Sequence, residues 1–409
     1  MTAPSRPPAQ PFADRDATFE AFAAHVSRGK VATYREYGFD AVMGAREGVR
    51  FHDAFGERSW INCHSNGGVF NLGHRNPRVI AAVTQALESL DIGNHHLVSG
   101  FRARLAARLS KTTGDRLSGV VFGVSGGEAN DLAIKLAWAK TGRKGIVSAQ
   151  GGYHGHTGLS TATGDAEYRE PFLASLPGFA QVPFDDLDAL DRAVGDDTAA
   201  VILEPIPATL GMPIPSPGYL RGVERLCRER GALFLCDEVQ TGLGRTGKIW
   251  CHEHDGAAPD LVVTGKGLSG GIYPITATLM TPEVFAFFDH HPFSHISTFG
   301  GSEVGCAAAT AVLDAIEAPG FLARVEALGE RFERGFAGAP FALRRRGLFM
   351  GMKFAFPEAG MAAAKLLFDR GIFAVYANND RSVLQMLPPL VTSDDEADEI
   401  IGTVRRVFG

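Results

Sequence analysis

Pro259-Asp-Leu-Val-Val-Thr-Gly-Lys266-Gly-Leu-Ser-Gly-Gly271 sets a lysine between two glycines at the end of a short apolar run. Leu261 to Val263 reads as a buried strand. The flanking glycines let backbone and ligand approach closely. A lysine held among apolar or cationic groups has a lowered pKa, and its neutral amine attacks carbonyls. By itself the stretch also fits a surface lysine at a strand-to-loop turn, so its neighbours decide.

Around it, apolar runs alternate with helical spacing. Strands are expected at Gly119–Val124, Gly145–Ser148, Ala199–Glu204, Ala232–Cys236 and Ile275–Met280, with helices at Glu128–Thr141 and Gly218–Arg230. That alternation predicts an α/β fold with a largely parallel sheet covered on both faces. Ligands of such sheets sit beyond the carboxyl ends of the strands. From Glu303 the texture changes to helices at Cys306–Leu313, Phe321–Phe336 and Met361–Arg370, with strands at Leu348–Phe354, Ile372–Tyr376 and Val383–Leu387. The last helix is announced by Ser393-Asp-Asp-Glu396, a capping box. This tail reads as a smaller α+β unit. Before the sheet come a helix at Ala17–Arg28, a hairpin at Val49–Asn62, a glycine-rich loop at Ser65–His74 and a helix at Asn76–Leu90. The expected organisation is residues 1–60 as an N-terminal arm and segment packing with the small domain, 61–310 as the large domain, and 311–409 as the small C-terminal domain. Met1–Asp16 reads as a mobile arm.

Composition narrows the function. Hydrophobic content of 45% with 21% charged residues fits an ordinary globular chain. A net charge of −6, with no basic run interleaved with aromatics, argues against nucleic acid. The five cysteines are odd in number and form no CxxC pair, so neither a disulfide framework nor a zinc site is indicated. That suits a cytoplasmic location. No apolar stretch reaches about 18 residues, so no membrane partner is expected. The histidine-rich segment Asp91–His96 lacks ligand spacing, and no metal is expected there.

Three motifs follow strand ends. Val124-Ser125-Gly126-Gly127-Glu128 joins a strand to a helix N-terminus, where free N–H groups and the helix dipole suit a phosphate; a plain tight turn fits equally. Gln150-Gly-Gly-Tyr153-His154-Gly155-His156 offers an aromatic that can stack on a planar ring. Leu235-Cys-Asp237-Glu238-Val239-Gln240 ends an apolar strand with an acid, which needs a partner: a salt bridge, a helix cap or a pyridinium nitrogen. Gly242-Leu-Gly244-Arg-Thr-Gly247-Lys248 fits G-x-G-x-x-G and the front of a P-loop, but Ile249 replaces the required Ser/Thr and no helix follows. A nucleotide loop is not expected there.

A phosphate cup, a stacking aromatic, a strand-end acid and a flanked lysine converge on pyridoxal phosphate. Ser125-Gly-Gly-Glu128, Tyr153-His-Gly155, Glu204-Pro205, Asp237-Glu-Val-Gln240, Thr264-Gly-Lys266-Gly267 and Thr298-Phe-Gly-Gly301 resemble, in order and spacing, the class III aminotransferases of the fold type I PLP enzymes. The resemblance runs from the hairpin near Phe51 to the last helix. It implies that Lys266 forms the Schiff base and shuttles the proton. It implies that Asp237 pairs with the pyridinium nitrogen, that Tyr153 and Val239 sandwich the ring, and that Gln240 lies near its phenolic oxygen. Ser125, Gly126 and Gly127 would hold the phosphate, and His154 and Glu204 would line the cofactor site. Thr298 would reach the phosphate of a neighbouring subunit, which implies a homodimer with shared sites.

Two positions depart from the family's pattern. His156 stands where members acting on amino acids often carry an arginine, and so does Gln385, just before Leu387-Pro-Pro-Leu390. Neither offers the bidentate fork of a guanidinium. His156, Gln385 and His95 are therefore the candidate substrate contacts. The expected activity is amino transfer from a small amine or amino acid to a keto or aldehyde acceptor. The alternative is a lyase of the same family that eliminates ammonia or phosphate.

Overall fold

A computed structural model describes residues 10–93 and 97–409. Its centre is a seven-stranded sheet of β1 (Gly119–Gly123), β2 (Gly145–Ala149), β3 (Phe179–Val182), β4 (Thr198–Leu203), β5 (Leu233–Asp237), β6 (Leu261–Thr264) and β7 (Thr276–Met280). The strand order is β1-β7-β6-β5-β4-β2-β3. The pairs from β3 to β6 are parallel, whereas β7 runs antiparallel to both neighbours.

Every residue of β2, β4, β6 and β7 is buried. This is the pattern of strands covered on both faces. Alternate residues serve different cores. Val201, Leu203, Phe234 and Val262 join one cluster with Leu220 and Val223 of α2 (Tyr219–Arg230) and Val312 and Leu313 of α3 (Glu303–Ile316). Ala200, Ile202, Leu235 and Val263 join the other with Leu132, Ala133 and Leu136 of α1 (Gly126–Thr141). The period of two that a pleated strand imposes thus distributes one apolar run between two helical layers.

The C-terminal sheet contains β8 (Ala342–Arg346), β9 (Phe349–Lys353), β10 (Val375–Ala377) and β11 (Asp380–Met386), in the order β8-β9-β11-β10 and antiparallel throughout. A third sheet joins Met43–Glu47, Arg50–Asp53 and Ser59–Asn62 to Ile372–Phe373 from the far end of the chain. Phe51, Trp60 and Phe368 stack there at 5.3 and 4.8 Å, and Trp60 Nε1 donates to the Phe368 carbonyl at 2.7 Å.

Some sequence expectations change. Ile372–Tyr376 is two strands, because Ile372 pairs with Ile61 while Val375 pairs with Gln385 of a different sheet. The stretch between β2 and β4, where no element is expected from the sequence, contains short helices and the edge strand β3. The N-terminal arm ends earlier than expected: Asp14 caps the helix Arg15–His25, and Arg15 bonds to Asp53 at 2.5 Å.

The Gly242–Gly247 segment is a joint between the sheets. Arg245 within it is fully buried and bonds to Asn71 Oδ1 and to the Leu348 and Pro388 carbonyls. Burial without a carboxylate partner holds its pKa down to about 9. Among the described residues, no single helix is long and apolar enough to cross a membrane.

Candidate active site

The carboxyl ends of β1, β2, β4, β5 and β6 open onto one cavity of about 610 Å³. Because β7 is antiparallel, its entry residues Tyr273 to Thr276 reach the same edge. Ser125, Gly126, Gly127, Tyr153, His154, His156, Glu204, Asp237, Val239, Gln240 and Lys266 all line this cavity. Segments as far apart as residues 125 and 266 are therefore brought together by the sheet edge itself.

At one side α1 begins. Ser125 is its N-cap, and its Oγ accepts from the Glu128 amide at 3.2 Å. The N–H groups of Gly126 and Gly127, in the first turn, have no intrahelical acceptor. With the positive end of the helix dipole they form an anion site. Gly127 has no alternative at this spot: a Cβ there would lie 2.4 Å from Thr157 Oγ1.

Asp237 ends β5 and is 4% exposed. Its Oδ2 accepts from Asn130 Nδ2 and from His154 Nδ1, both at 2.8 Å. Its Oδ1 accepts from the Val239 amide at 3.0 Å. Burial alone would lower the His154 pKa, but the hydrogen bond to Asp237 together with the charges of Asp237 and Glu204 outweighs it and raises it. His154 Nε2 and Asn130 Oδ1 are buried without a partner.

Lys266 opens the turn after β6. Its backbone has φ of +40°, a strained conformation for a residue with a side chain. Nζ donates to Gln240 Oε1 at 2.8 Å. The glycine-rich loop passes overhead, so that a Cβ on Gly67 would sit 3.2 Å from Nζ. Burial lowers the Lys266 pKa, with Glu204 and Asp237 opposing the shift. The same crowding holds His64 down to about 4, by burial first and the Lys266 charge second.

Glu204 follows β4 and is 5% exposed. Its Oε1 accepts from the Tyr153 amide at 2.9 Å, and its Oε2 from the Ala208 amide at 3.5 Å. Burial pushes its pKa up to about 7; His154 pulls down and Asp237 pushes further up. At the mouth, His156 contacts the Tyr153 ring edge-on at 4.9 Å and stacks on Tyr168 at 5.2 Å.

The residues fit pyridoxal phosphate. A helix N-terminus would meet the phosphate's charge, Asp237 would offer a carboxylate to the ring nitrogen, and Lys266 would offer the carbonyl an amine whose pKa burial lowers. Tyr153 and Val239 both border the space the ring would occupy.

Two of the expected residues do not line this cavity, one of them, Thr298, expected at a neighbouring subunit's phosphate. Thr298 is exposed and does not line the cavity. Gln385 lies in β11 opposite Gly351 and Val375, buried in the C-terminal sheet, and does not line this cavity. His95, with Asn94 and His96, lies outside the described residues. Asn130, Tyr273 and Thr276 also line the cavity without having been expected. Asn130 had a signal, since it is a lone amide on a helix face otherwise made of Ala129, Leu132, Ala133 and Leu136.

The sequence profile of the aminotransferase class-III family matches residues 35–408. An uncharacterized aminotransferase of Archaeoglobus fulgidus is 50% identical over 390 residues, which cover 93% of this chain and 91% of that protein. Among solved structures, an ornithine aminotransferase from Toxoplasma gondii, seen with partial occupancy of PLP at its active site, superposes with a TM-score of 0.83. It is 27% identical and covers 97% of this chain and 98% of its own. An acetylornithine aminotransferase from Elizabethkingia anophelis gives a TM-score of 0.79 at 25% identity, over 93% and 98% of the two chains.

Proposed function

From the premise that this chain belongs to the class III aminotransferases and uses pyridoxal phosphate, we propose that Lys266, Asp237 and Tyr153 carry the transfer of an amino group from a small amine or amino acid. The observation that carries this reading is the convergence on one cavity of a neutral-leaning lysine, a triply hydrogen-bonded aspartate and an open helix N-terminus.

Bound, the cofactor supplies a carbonyl that condenses with amines and a ring that withdraws the electron pair from the carbon next to nitrogen. Lys266 Nζ would hold the cofactor through its carbonyl and, when free, would take and return the proton at the substrate carbon. Its lowered pKa keeps the amine ready to do both. Asp237 keeps the ring nitrogen protonated, and Asn130 and His154 hold Asp237 in place. The α1 N-terminus anchors the phosphate. Tyr153 and Val239 confine the ring, and Gln240 orients the group beside Lys266.

A second copy of the chain completes the site in this reading. Thr298 sits in an exposed stretch with Phe293, Ile296 and Phe299, exposed apolar side chains that suit burial against a partner. A sizing column that returned a fully active monomer would overturn this. The five buried, unpaired cysteines fit a reducing compartment such as the cytoplasm.

Borohydride reduction followed by peptide mass mapping tests the core assignment. The cofactor mass is expected on the peptide containing Lys266 and nowhere in Lys266→Ala; an adduct elsewhere would overturn it. Mixing the holoenzyme with amines and amino acids, without an acceptor, tests the reaction. Conversion of the cofactor to its aminated form without free ammonia is expected. Free ammonia or phosphate with the original cofactor regenerated would mark elimination instead.

A further inference from the structure

We propose that Asp131 is a positioning residue for the cofactor's phosphate: from the second turn of α1 it holds the Tyr153–Thr157 loop against the Gly126–Gly127 helix N-terminus. This rests on the phosphate site proposed above and adds to it the group that keeps its two walls together.

The loop from Tyr153 to Thr157 leads into a short helix, Gly158–Ala162. Thr157 stands at the N-cap of that helix, yet its side chain does not cap it. Asp131 supplies the cap from a different helix. Its Oδ1 accepts from the Ser160 amide at 2.6 Å, the N–H that an N-cap side chain ordinarily serves. Its Oδ2 accepts from Thr157 Oγ1 at 3.0 Å. A Cβ on Gly158 would lie 2.6 Å from that same Oδ2, so glycine there lets the carboxylate reach in. One residue earlier, Asn130 Nδ2 donates to the His154 carbonyl at 2.8 Å. Consecutive residues of α1 therefore fasten the loop at two points.

The fastened loop is one wall of the phosphate cup. A Cβ on Gly155 would lie 2.5 Å from Gly127 Cα, and Thr157 Oγ1 would be 2.4 Å from a Cβ on Gly127. The loop thus packs directly on the first turn of α1. Thr157 lines the cavity and Asp131 does not. Both Asp131 oxygens are turned to donors of the loop and the short helix, so Asp131 acts through them and not on the cofactor. Removing the carboxylate loosens the wall beside Gly127 and leaves Lys266 and Asp237 in place. The phosphate's share of the binding should fall, and the ring's share should not.

Full-length protein freed of cofactor is titrated with PLP and with pyridoxal, which lacks the phosphate, and the absorbance of the lysine-linked cofactor is followed. The quantity read is the ratio of the two dissociation constants. In Asp131→Ala the advantage of PLP over pyridoxal is expected to fall about tenfold, the scale of one charge-assisted hydrogen bond. Asp131→Asn, whose amide accepts from Ser160 and donates to Thr157, is expected to keep the wild-type ratio. An unchanged ratio in Asp131→Ala, whether both affinities hold or both fall together, would overturn the proposal, as would an equal loss in Asp131→Asn. If the alanine variant does not fold, Asp131→Glu decides. It keeps the charge, and its extra methylene pushes the loop off Gly127, so the ratio should fall there too; a wild-type ratio overturns the proposal. A wild-type protein that binds pyridoxal as tightly as PLP would instead overturn the phosphate site itself, and this proposal with it.

Discussion

Asp237 and Glu204 are two buried carboxylates lining one cavity, and the protein treats them differently. Asp237 is held by an amide, an imidazole and a backbone N–H. Glu204 has two backbone N–H groups, one of them at 3.5 Å. Both acids are almost completely covered, so burial cannot be the difference. The difference is who supplies the partners. Around Asp237 the chain provides side chains that fix the carboxylate by hydrogen bonds, which suits a group that must keep one position. Around Glu204 it leaves room, which suits a group that waits for a ligand.

The largest expected effect breaks the Asp237 side. Asp237→Ala should lower the amino-transfer rate about a thousandfold, the scale of removing a preorganised electrostatic partner from a reacting centre. The protein should still hold cofactor through Lys266 and the α1 N-terminus, so the reduced adduct on Lys266 should persist. A rate within tenfold of wild type would mean that Asp237 is a structural acid.

A smaller effect probes how Asp237 is held. Asn130→Ala removes one charge-assisted hydrogen bond, worth about 1.5–3 kcal/mol. The expected loss is about tenfold in turnover, with a shift in the pH dependence of the cofactor's absorbance. His154→Ala should shift that dependence in the same direction. If Asn130→Ala lowers thermal stability and leaves the pH dependence alone, Asn130 packs the helix and does not tune Asp237.

The contrast also explains what the sequence could reveal. Lys266, Asp237 and Tyr153 were legible because each stands directly after an apolar strand, and the strand ends of a parallel sheet must share one edge. Asn130 was legible only as a lone amide among the apolar residues of α1, since helical spacing gives no hint of a partner more than a hundred residues away. Tyr273 and Thr276 reach the site because β7 is antiparallel. Its buried run reads the same in either direction, so orientation leaves no trace in the pattern. β3 and β8 escaped notice for another reason. They are edge strands, and Phe-Ala-Gln-Val and Ala-Leu-Arg-Arg-Arg lack the continuous apolar run of a central strand.

The smallest effect concerns Glu204 in protein freed of cofactor, and its sign separates the two acids. Glu204 has its pKa raised to about 7 from an ordinary 4.5, chiefly by burial. The fold therefore favours its protonated form. Stability from this group is fully present below pH 4.5 and is lost as pH rises through 7. Glu204→Gln fixes a neutral side chain of the same shape, so it should melt about a degree or two above wild type at pH 8 and no higher than wild type at pH 4.5. Asp237→Asn should instead melt lower, since Asp237 accepts from three donors and an amide in its place would set an N–H against Asn130, His154 or Val239. Thermal scans of the two variants at both pH values check the pair. Were Glu204→Gln to melt lower than wild type at pH 8, its carboxylate would have to be stabilised by a partner, and the cavity would hold two saturated acids rather than one saturated and one waiting.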